Sequence, residues 1–425
     1  MPLTPLLFLS PRIPWPLNTG AKIRTGALLG ALRAHFAVDY AGFLQPDLSE
    51  AEARSALAGC RAISFYPERP TGALGKAWLG ARTLPDRRPA TIAKYWRAAL
   101  AERVREWTAR HPRGIVHADH LHLAPYLQQG TAALRVMDEH NVESRIIERL
   151  AEQCRRWPLH PYLALQARRM KACEAELARR ADLVLAVSDG DAVDLRALAP
   201  AARVEVIPNG VDLEYFTPSP AARPARPGRL VFTGSMNWLP NQDAMVYCVR
   251  EIMPRLPAGR DWSLDIVGQS PPPPVTALAS EKIRVTGTVE DVRPYIREAS
   301  IYIVPLRIGG GSRLKILEAF AMGVPLVSTS VGCEGLGVED GQQLLIADTP
   351  ADFARATARL ADDPALGERL TRCALNYVRE HFGWPSIGQR LIELYDEILD
   401  TSVPTTKGTE YTETRATRED PFSSQ

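Results

Sequence analysis

Short apolar runs rich in β-branched residues alternate with helical segments along nearly the whole chain, and that alternation restricts the fold more than any single motif. Pro5–Ser10, Ala37–Ala41, Arg61–Tyr66, Gly114–His117, 131–137, Asp182–Ser188 and Val204–Ile207 read as strands. Between them lie helical stretches at Ala21–His35, 49–60, Lys94–His111, 143–180 (broken around Pro158 and Pro161) and Asp189–Leu198, with a basic, Pro- and Gly-interrupted loop at 67–90. The Pro-rich stretch 217–228 reads as a linker. A second alternation follows, with strands at Leu230–Thr233, Ser263–Val267, Ile283–Thr286 and Ile301–Leu306. Its helices are expected at Ala244–Met253, 289–298, 351–382 and Trp384–Leu399, with a turn at Pro271–Pro274. Strands that alternate with helices form parallel sheets covered on both faces. The predicted fold class is therefore α/β, with two Rossmann-like doubly wound domains facing a cleft. The expected division is 1–215 for the first domain, 216–228 for the linker and 229–385 for the second domain. A helix at 386–400 is expected to cross back to the first domain, and 401–425 reads as a disordered tail.

Polar clusters recur where these strands end, and ligands of doubly wound sheets bind at the carboxyl ends of strands. The clusters are Gly20, His117–His122, Asp138–Glu143, Asn209-Gly210, Gly234–Asn241, Gly287 and Gly309–Lys315. The last has the most readable chemistry. Gly309, Gly310, Gly311 and Ser312 join a buried strand to a helix whose apolar positions are Leu314, Leu317, Phe320 and Ala321. Glycines let backbone N–H groups close on a ligand, and a helix N-terminus favours an anion. Arg313 and Lys315 add fixed positive charge suited to phosphate, while Glu318 fits a partner of sugar or ribose hydroxyls. A glycine turn with solvated basic residues is the plainer alternative. Asn18-Thr19-Gly20, with Lys22 and Arg24 just inside the next helix, is a second anion-capable loop.

Composition excludes several classes. The chain has 425 residues, 51 Lys/Arg and 49 Asp/Glu, a net +2 that gives no general affinity for nucleic acid. Charge is uneven: residues 1–215 hold 29 basic and 23 acidic residues (+6), leaving 22 and 26 (−4) for the rest. Six scattered cysteines without a CxxC pair argue against a disulfide framework or structural zinc. The opening MPLTPLLFLSPRIPWP lacks a basic n-region and reads as a buried strand, and no apolar run is long enough to cross a bilayer. A cytoplasmic protein follows. Peripheral contact of the Arg-rich stretch 165–180 with the inner face of the cell membrane competes with a plain solvated helix face.

Several blocks together resemble the retaining glycosyltransferases of family 4, which have the GT-B fold. They are PLNTGAKIR (16–24), HADHLH (117–122), DEHNVES (138–144), VSDGDA (187–192), VIPNGVD (206–212), VFTGSMNWLPN (231–241), DIVGQ (265–269), VTGTVEDVRPYI (285–296) and GGGSRLKILEAFAMGVPLVST (309–329). The DEHNVES and SMNWLPN blocks are similar to a bacterial subgroup linked to exopolysaccharide assembly. The resemblance implies transfer of a sugar from a nucleotide-diphosphate donor to a saccharide or lipid-linked acceptor, with retention, without metal and without a cofactor. It implies donor contacts from Gly20, Asn237, Gly309, Gly310, Gly311, Ser312, Arg313, Lys315 and Glu318. It implies His120 at the reacting centre, with Arg313, Lys315 and Glu318 serving catalysis there. Lys22, His117, His122, His140 and Asn141 fall on the acceptor side. The family often carries two glutamates with seven residues between them; Glu318 fits the second, and Gly310 stands where the first would be. The resemblance leaves two alternatives: a nucleotide-sugar epimerase on the same fold, and an inactive sugar-nucleotide-binding scaffold.

Overall fold

The computed structural model describes residues 3–17, 19–68, 83, 88–153, 159–218, 227–308 and 313–401. The first sheet has seven strands: β1 (Pro5–Ser10), β2 (Ala37–Leu44), β3 (Ala62–Pro67), β4 (Ile115–Asp119), β5 (Leu134–Asp138), β6 (Leu183–Ala186) and β7 (Val204–Val206). Their order is β3-β2-β1-β4-β5-β6-β7. The second has six: β8 (Arg229–Thr233), β9 (Ser263–Val267), β10 (Ile283–Val285), β11 (Ile301–Val304), β12 (Leu326–Ser328) and β13 (Leu345–Ile346), in the order β10-β9-β8-β11-β12-β13. Every pairing between these strands is parallel. The strand order reverses between β1 and β4 in one sheet and between β8 and β11 in the other, which opens a crevice at each reversal. Both sheets are parallel and doubly wound, as the alternation of strands and helices implies.

β1 shows why the first sheet needs cover on both faces. Leu6 and Phe8 enter one apolar cluster and Leu7 and Leu9 the other, as the period of two demands, and all four are fully buried. The cluster under Leu6 and Phe8 is completed by Ile387, Leu391, Ile392, Tyr395 and Ile398 of the last helix, Trp384–Thr401. That helix packs on the first domain, chiefly against the helix Gly20–His35. The second domain has its own core, built from β8, β9, β11, β12 and the helices around them.

Several boundaries depart from the sequence reading. Lys94–His111 is two helices, Ala90–Tyr95 and Ala98–Arg110, because Trp96 leaves the helical path to stack on Tyr126 at 5.0 Å between ring centroids. The Arg97 amide donates to the Tyr126 hydroxyl at 2.6 Å, which fixes the break. The helix expected from Ala244 begins at Leu239, where Pro240 fits the first turn. The stretch 143–180 forms two helices, Glu143–Gln153 and Leu159–Arg180, as the expected break around Pro158 and Pro161 requires, with Pro161 in the first turn of the second. The stretch 351–382 divides at Asp363, which caps Leu366 N with its carboxylate at 3.0 Å. Pro273–Thr276 is a short helix rather than a turn, and the two-residue β13 has too little pattern to be read. Most of the expected loop 67–90, most of the linker 217–228 and the tail from 402 lie outside the described residues.

Candidate active site

The second sheet presents its charges at the β8/β11 reversal. Arg313 is the N-cap of the helix Leu314–Ala321, is 5% exposed, and donates from Nη2 to Val331 O at 2.8 Å. Lys315 reaches across to the segment after β8. Its Nζ donates to Asn241 Oδ1 at 2.8 Å and lies 4.2 Å from the centre of the Phe232 ring. Asn241 is itself fixed by a bond from Nδ2 to Ser235 O at 2.8 Å. Gly234 makes room for this contact, since a Cβ there would stand 2.8 Å from both Lys315 Nζ and Asn241 Nδ2. Glu318 follows one turn later, partly exposed, and its carboxylate takes no hydrogen bond from a described residue. Burial, with Arg313 nearby, pulls the Lys315 ammonium down to about 7 against the pull of Glu318. Burial likewise raises the Glu318 carboxyl to about 7, against Lys315. Both groups therefore sit near their titration points at neutral pH, where a bound anion or hydroxyl decides their charge.

The first sheet is different: its strand ends are bonded to one another. Arg24, fully buried, grips Asp138 with Nη2 at 2.6 Å and Nε at 3.1 Å. Its Nη1 donates to Ile207 O at 2.9 Å, Pro208 O at 3.2 Å and Asn209 Oδ1 at 3.1 Å. Asp119 takes bonds from Ser10 Oγ (2.7 Å), Thr25 Oγ1 (2.9 Å) and His140 Nε2 (2.8 Å). Burial disfavours a charged His140, but Asp119 and Asp138 outweigh it and push the imidazole up to about 9. Burial also works against the Asp138 carboxylate, yet Arg24 and His140 hold it well below the usual range. His117 is fully buried, stacks on Phe8 at 4.5 Å, and pairs Nδ1 with the Tyr395 hydroxyl at 2.6 Å.

These contacts correct two acceptor-side expectations. His117 braces the last helix inside the core and offers no surface to a substrate. His140 is an internal cation between two aspartates. Lys22 donates its ammonium to Trp15 O at 2.9 Å, so it pins the loop after β1. His120 and His122 remain together, their rings stacked at 4.3 Å, and His120 also stands 5.0 Å from the His140 ring. His120 has φ +88°, an unusual conformation for a residue with a side chain, placed where β4 ends. Burial, with neighbouring positive charge, drives His120 well below the ordinary histidine range and His122 down to about 3, so both rings are neutral. Asn141 is partly exposed beside them. Asn237 is exposed and accepts from Ser235 Oγ at 2.8 Å, and Gly20 opens the helix Gly20–His35. Gly309, Gly310, Gly311 and Ser312 lie outside the described residues.

Sequence reasoning placed Glu143 in a polar cluster without giving it a role, and missed Glu174. Glu143 Oε1 lies 3.6 Å from His120 Nε2, and burial, with Glu174 close by, raises its carboxyl to about 7. Glu174 accepts from the Glu143 amide at 2.8 Å and from Ser144 Oγ, so it caps the helix that carries Glu143. The S-x-x-E and D-x-x-E patterns that flag a local cap are absent, because this cap comes from another helix. Among the described residues one His/Asp group, His117, Asp119 and Asp138, has donor atoms close enough to share an ion. A guanidinium, an imidazolium and two hydroxyls already satisfy its carboxylates, which leaves no charge for a metal to balance.

The two strand-end regions face each other. A Cβ at Gly20 would lie 3.2 Å from Leu314 Cδ1, and one at Gly335 would lie 2.8 Å from Ser188 Cβ. Two family profiles match in chain order: Glycosyltransferase Family 4 over residues 53–215 and Glycosyl transferases group 1 over residues 227–363. The chain belongs to the family 4 glycosyltransferases. Among curated relatives, this family member is 30% identical over 253 residues to the D-inositol 3-phosphate glycosyltransferase of Kribbella flavida, covering 54% of this chain and 59% of the relative. The protein of that name from Streptomyces bingchenggensis is 27% identical over 252 residues, covering 53% and 55%. The match thus spans little more than half the length of these relatives. Among solved structures, sucrose-phosphate synthase of Thermosynechococcus elongatus aligns with a TM-score of 0.70 at 19% identity, over 94% of this chain and 100% of that one. HepE of Anabaena, solved with UDP, gives 0.64 at 15%, over 92% and 99%. These likenesses establish the GT-B fold. The relatives are named for an inositol phosphate, which differs from the exopolysaccharide role that the DEHNVES block suggests.

Proposed function

We propose that the chain transfers a sugar from a nucleotide-diphosphate donor, held by the second domain, to a hydroxyl presented by the first. The observation that carries this is the triad Arg313, Lys315 and Glu318 on one helix N-terminus at the β8/β11 reversal. Two cations and a helix dipole suit a diphosphate, and an open carboxylate one turn on suits the ribose hydroxyls. As the sugar departs, negative charge grows on the diphosphate, and Lys315 and Arg313 stabilise it where it develops. His120, a neutral imidazole at the end of β4, takes a hydrogen bond from the transferring sugar or its acceptor. Transfer proceeds with retention: the leaving phosphate takes the acceptor proton on its own face, and no protein carboxylate acts as nucleophile. The DEHNVES and SMNWLPN blocks favour a saccharide or lipid-linked acceptor of exopolysaccharide assembly, in the cytoplasm or at the inner face of the membrane. The names of the curated relatives favour a second acceptor, an inositol phosphate.

A panel of nucleotide sugars, assayed for slow donor hydrolysis and for transfer, tests the reading. Donor turnover with an α-linked product from an α-linked donor, seen by NMR, supports it. Epimer formation, or binding without turnover, sinks it in favour of an epimerase or a scaffold. No described helix is long and apolar enough to cross a membrane.

A further inference from the structure

The reversal point of the first sheet carries a cation that the network described above leaves unused. Arg12 follows β1, and its backbone is held firmly. The Ser10 hydroxyl lies 2.8 Å from Arg12 O and is shared with Asp119. The buried Tyr40 hydroxyl donates to the same carbonyl at 2.9 Å, and the next amide, Ile13 N, donates to Gln45 Oε1 at 3.2 Å. Gly42 is what lets Tyr40 reach that far, because a Cβ there would stand 2.6 Å from the tyrosine hydroxyl. The guanidinium of Arg12, by contrast, is partly exposed and has no hydrogen bond or ion pair among the described residues. A guanidinium left unpaired on a fixed stretch of backbone is available to an anion.

Its neighbours narrow the ligand. The charge of Arg12 is felt at Lys22, His120, His122 and Glu143. Lys22 lies in the first turn of the helix Gly20–His35, which has no acidic residue in that turn. His120 and His122 each bury an Nδ1 that has no hydrogen-bond partner, and His120 is only 6% exposed. Neutral imidazoles exchange hydrogen bonds with hydroxyls and do not compete for an anion. In the function proposed above, Arg313 and Lys315 serve the donor diphosphate, which leaves Arg12 for a different anion. We propose that Arg12 receives the phosphate group of an anionic acceptor, a phosphorylated polyol or a phosphorylated lipid, whose free hydroxyl is turned to His120. This rests on the reading of the first domain as the acceptor side.

The test uses the full chain and titrates four probes. Two are soluble, D-inositol 3-phosphate and myo-inositol. Two are phosphatidylcholine vesicles, with and without polyprenyl phosphate. UDP is titrated alongside, on the natural protein, Arg12→Ala and Arg12→Lys, with thermal melts to check folding. The expected result is that one phosphate-bearing probe binds about tenfold tighter than its neutral counterpart. Arg12→Ala abolishes that preference, Arg12→Lys restores part of it, and UDP affinity changes by less than about twofold. Preference for the soluble probe identifies a soluble acceptor, and preference for the vesicle a lipid one. The proposal is overturned if the natural protein shows no phosphate preference, if Arg12→Ala keeps it, or if Arg12→Ala weakens UDP equally. Failure to bind UDP or turn over any nucleotide sugar would instead strike the proposed function, leaving Arg12 as a phosphate site.

Discussion

The strand ends of the two sheets solve the same problem in opposite ways. In the first sheet, Arg24, Asp119, Asp138 and His140 are buried and neutralise each other through hydrogen bonds that span the domain. In the second, Lys315 and Glu318 are partly exposed, and burial leaves each short of a full charge. One region is finished before any ligand arrives, and the other is arranged so that a ligand completes it. The difference teaches that charge count alone does not mark a binding site; what matters is whether the protein has already used the charge.

Arg24→Met should break the finished region. It leaves Asp138 buried with only His140, 3.6 Å away, for a partner, and loss of one member of a buried pair costs about 3–5 kcal/mol. Denaturant unfolding reads this, and a change inside error would mean that Asp138 is not a buried charge. The waiting region should respond in binding rather than folding. Arg313→Ala with Lys315→Ala should weaken UDP by at least about 2 kcal/mol, since a hydrogen bond to a charged group is worth about 1.5–3 kcal/mol. Unchanged affinity in calorimetry would remove both residues from the donor site. Because the Lys315 ammonium titrates at about 7, UDP affinity should also fall as pH rises above that value, and Lys315→Arg should flatten the slope.

His140 gives the pH signature of the finished region. Its folded value of about 9 lies above the ordinary 6.5, so its contribution is complete below pH 6.5 and is lost as pH rises through about 9. The loss across that window should be no more than about 3 kcal/mol. A His140→Gln variant whose stability falls equally over the same window would assign the effect elsewhere. The smallest expected change is in Tyr395→Phe, which removes the hydroxyl bonded to buried His117 and should cost about 1 kcal/mol in the same unfolding assay.

Local chemistry made the outline of both regions legible. β1 begins and ends where its apolar run does, and Lys315 and Glu318 were readable from helix spacing after a glycine loop. The polar strand ends were legible too, as clusters. Their partnerships were not. Arg24 meets Asp138 across 114 residues and His117 meets Tyr395 across 278, and no periodic signal encodes such a distance. That is why His117 and His140 looked available from sequence and prove to be spent within the protein. Glu174 and Arg12 were missed, and Glu143 was left without a role, for the mirror reason: their surroundings, built by other elements, give them their character.

One contact outside either site has a mechanical consequence. The chain leaves the first domain just before Val211 and returns to it just before the last helix. Val211 N donates to Phe382 O at 2.7 Å, and Val211 pairs with Gly383 in a parallel bridge. Gly210 lets the two passages touch, since a Cβ there would lie 2.8 Å from Phe382 O. Two crossings fastened side by side act as a single pivot. Translation of one domain along the other would tear that bridge, whereas rotation about it would not. A relative motion of the domains that kept this bridge would therefore be a rotation about Val211 and Gly383.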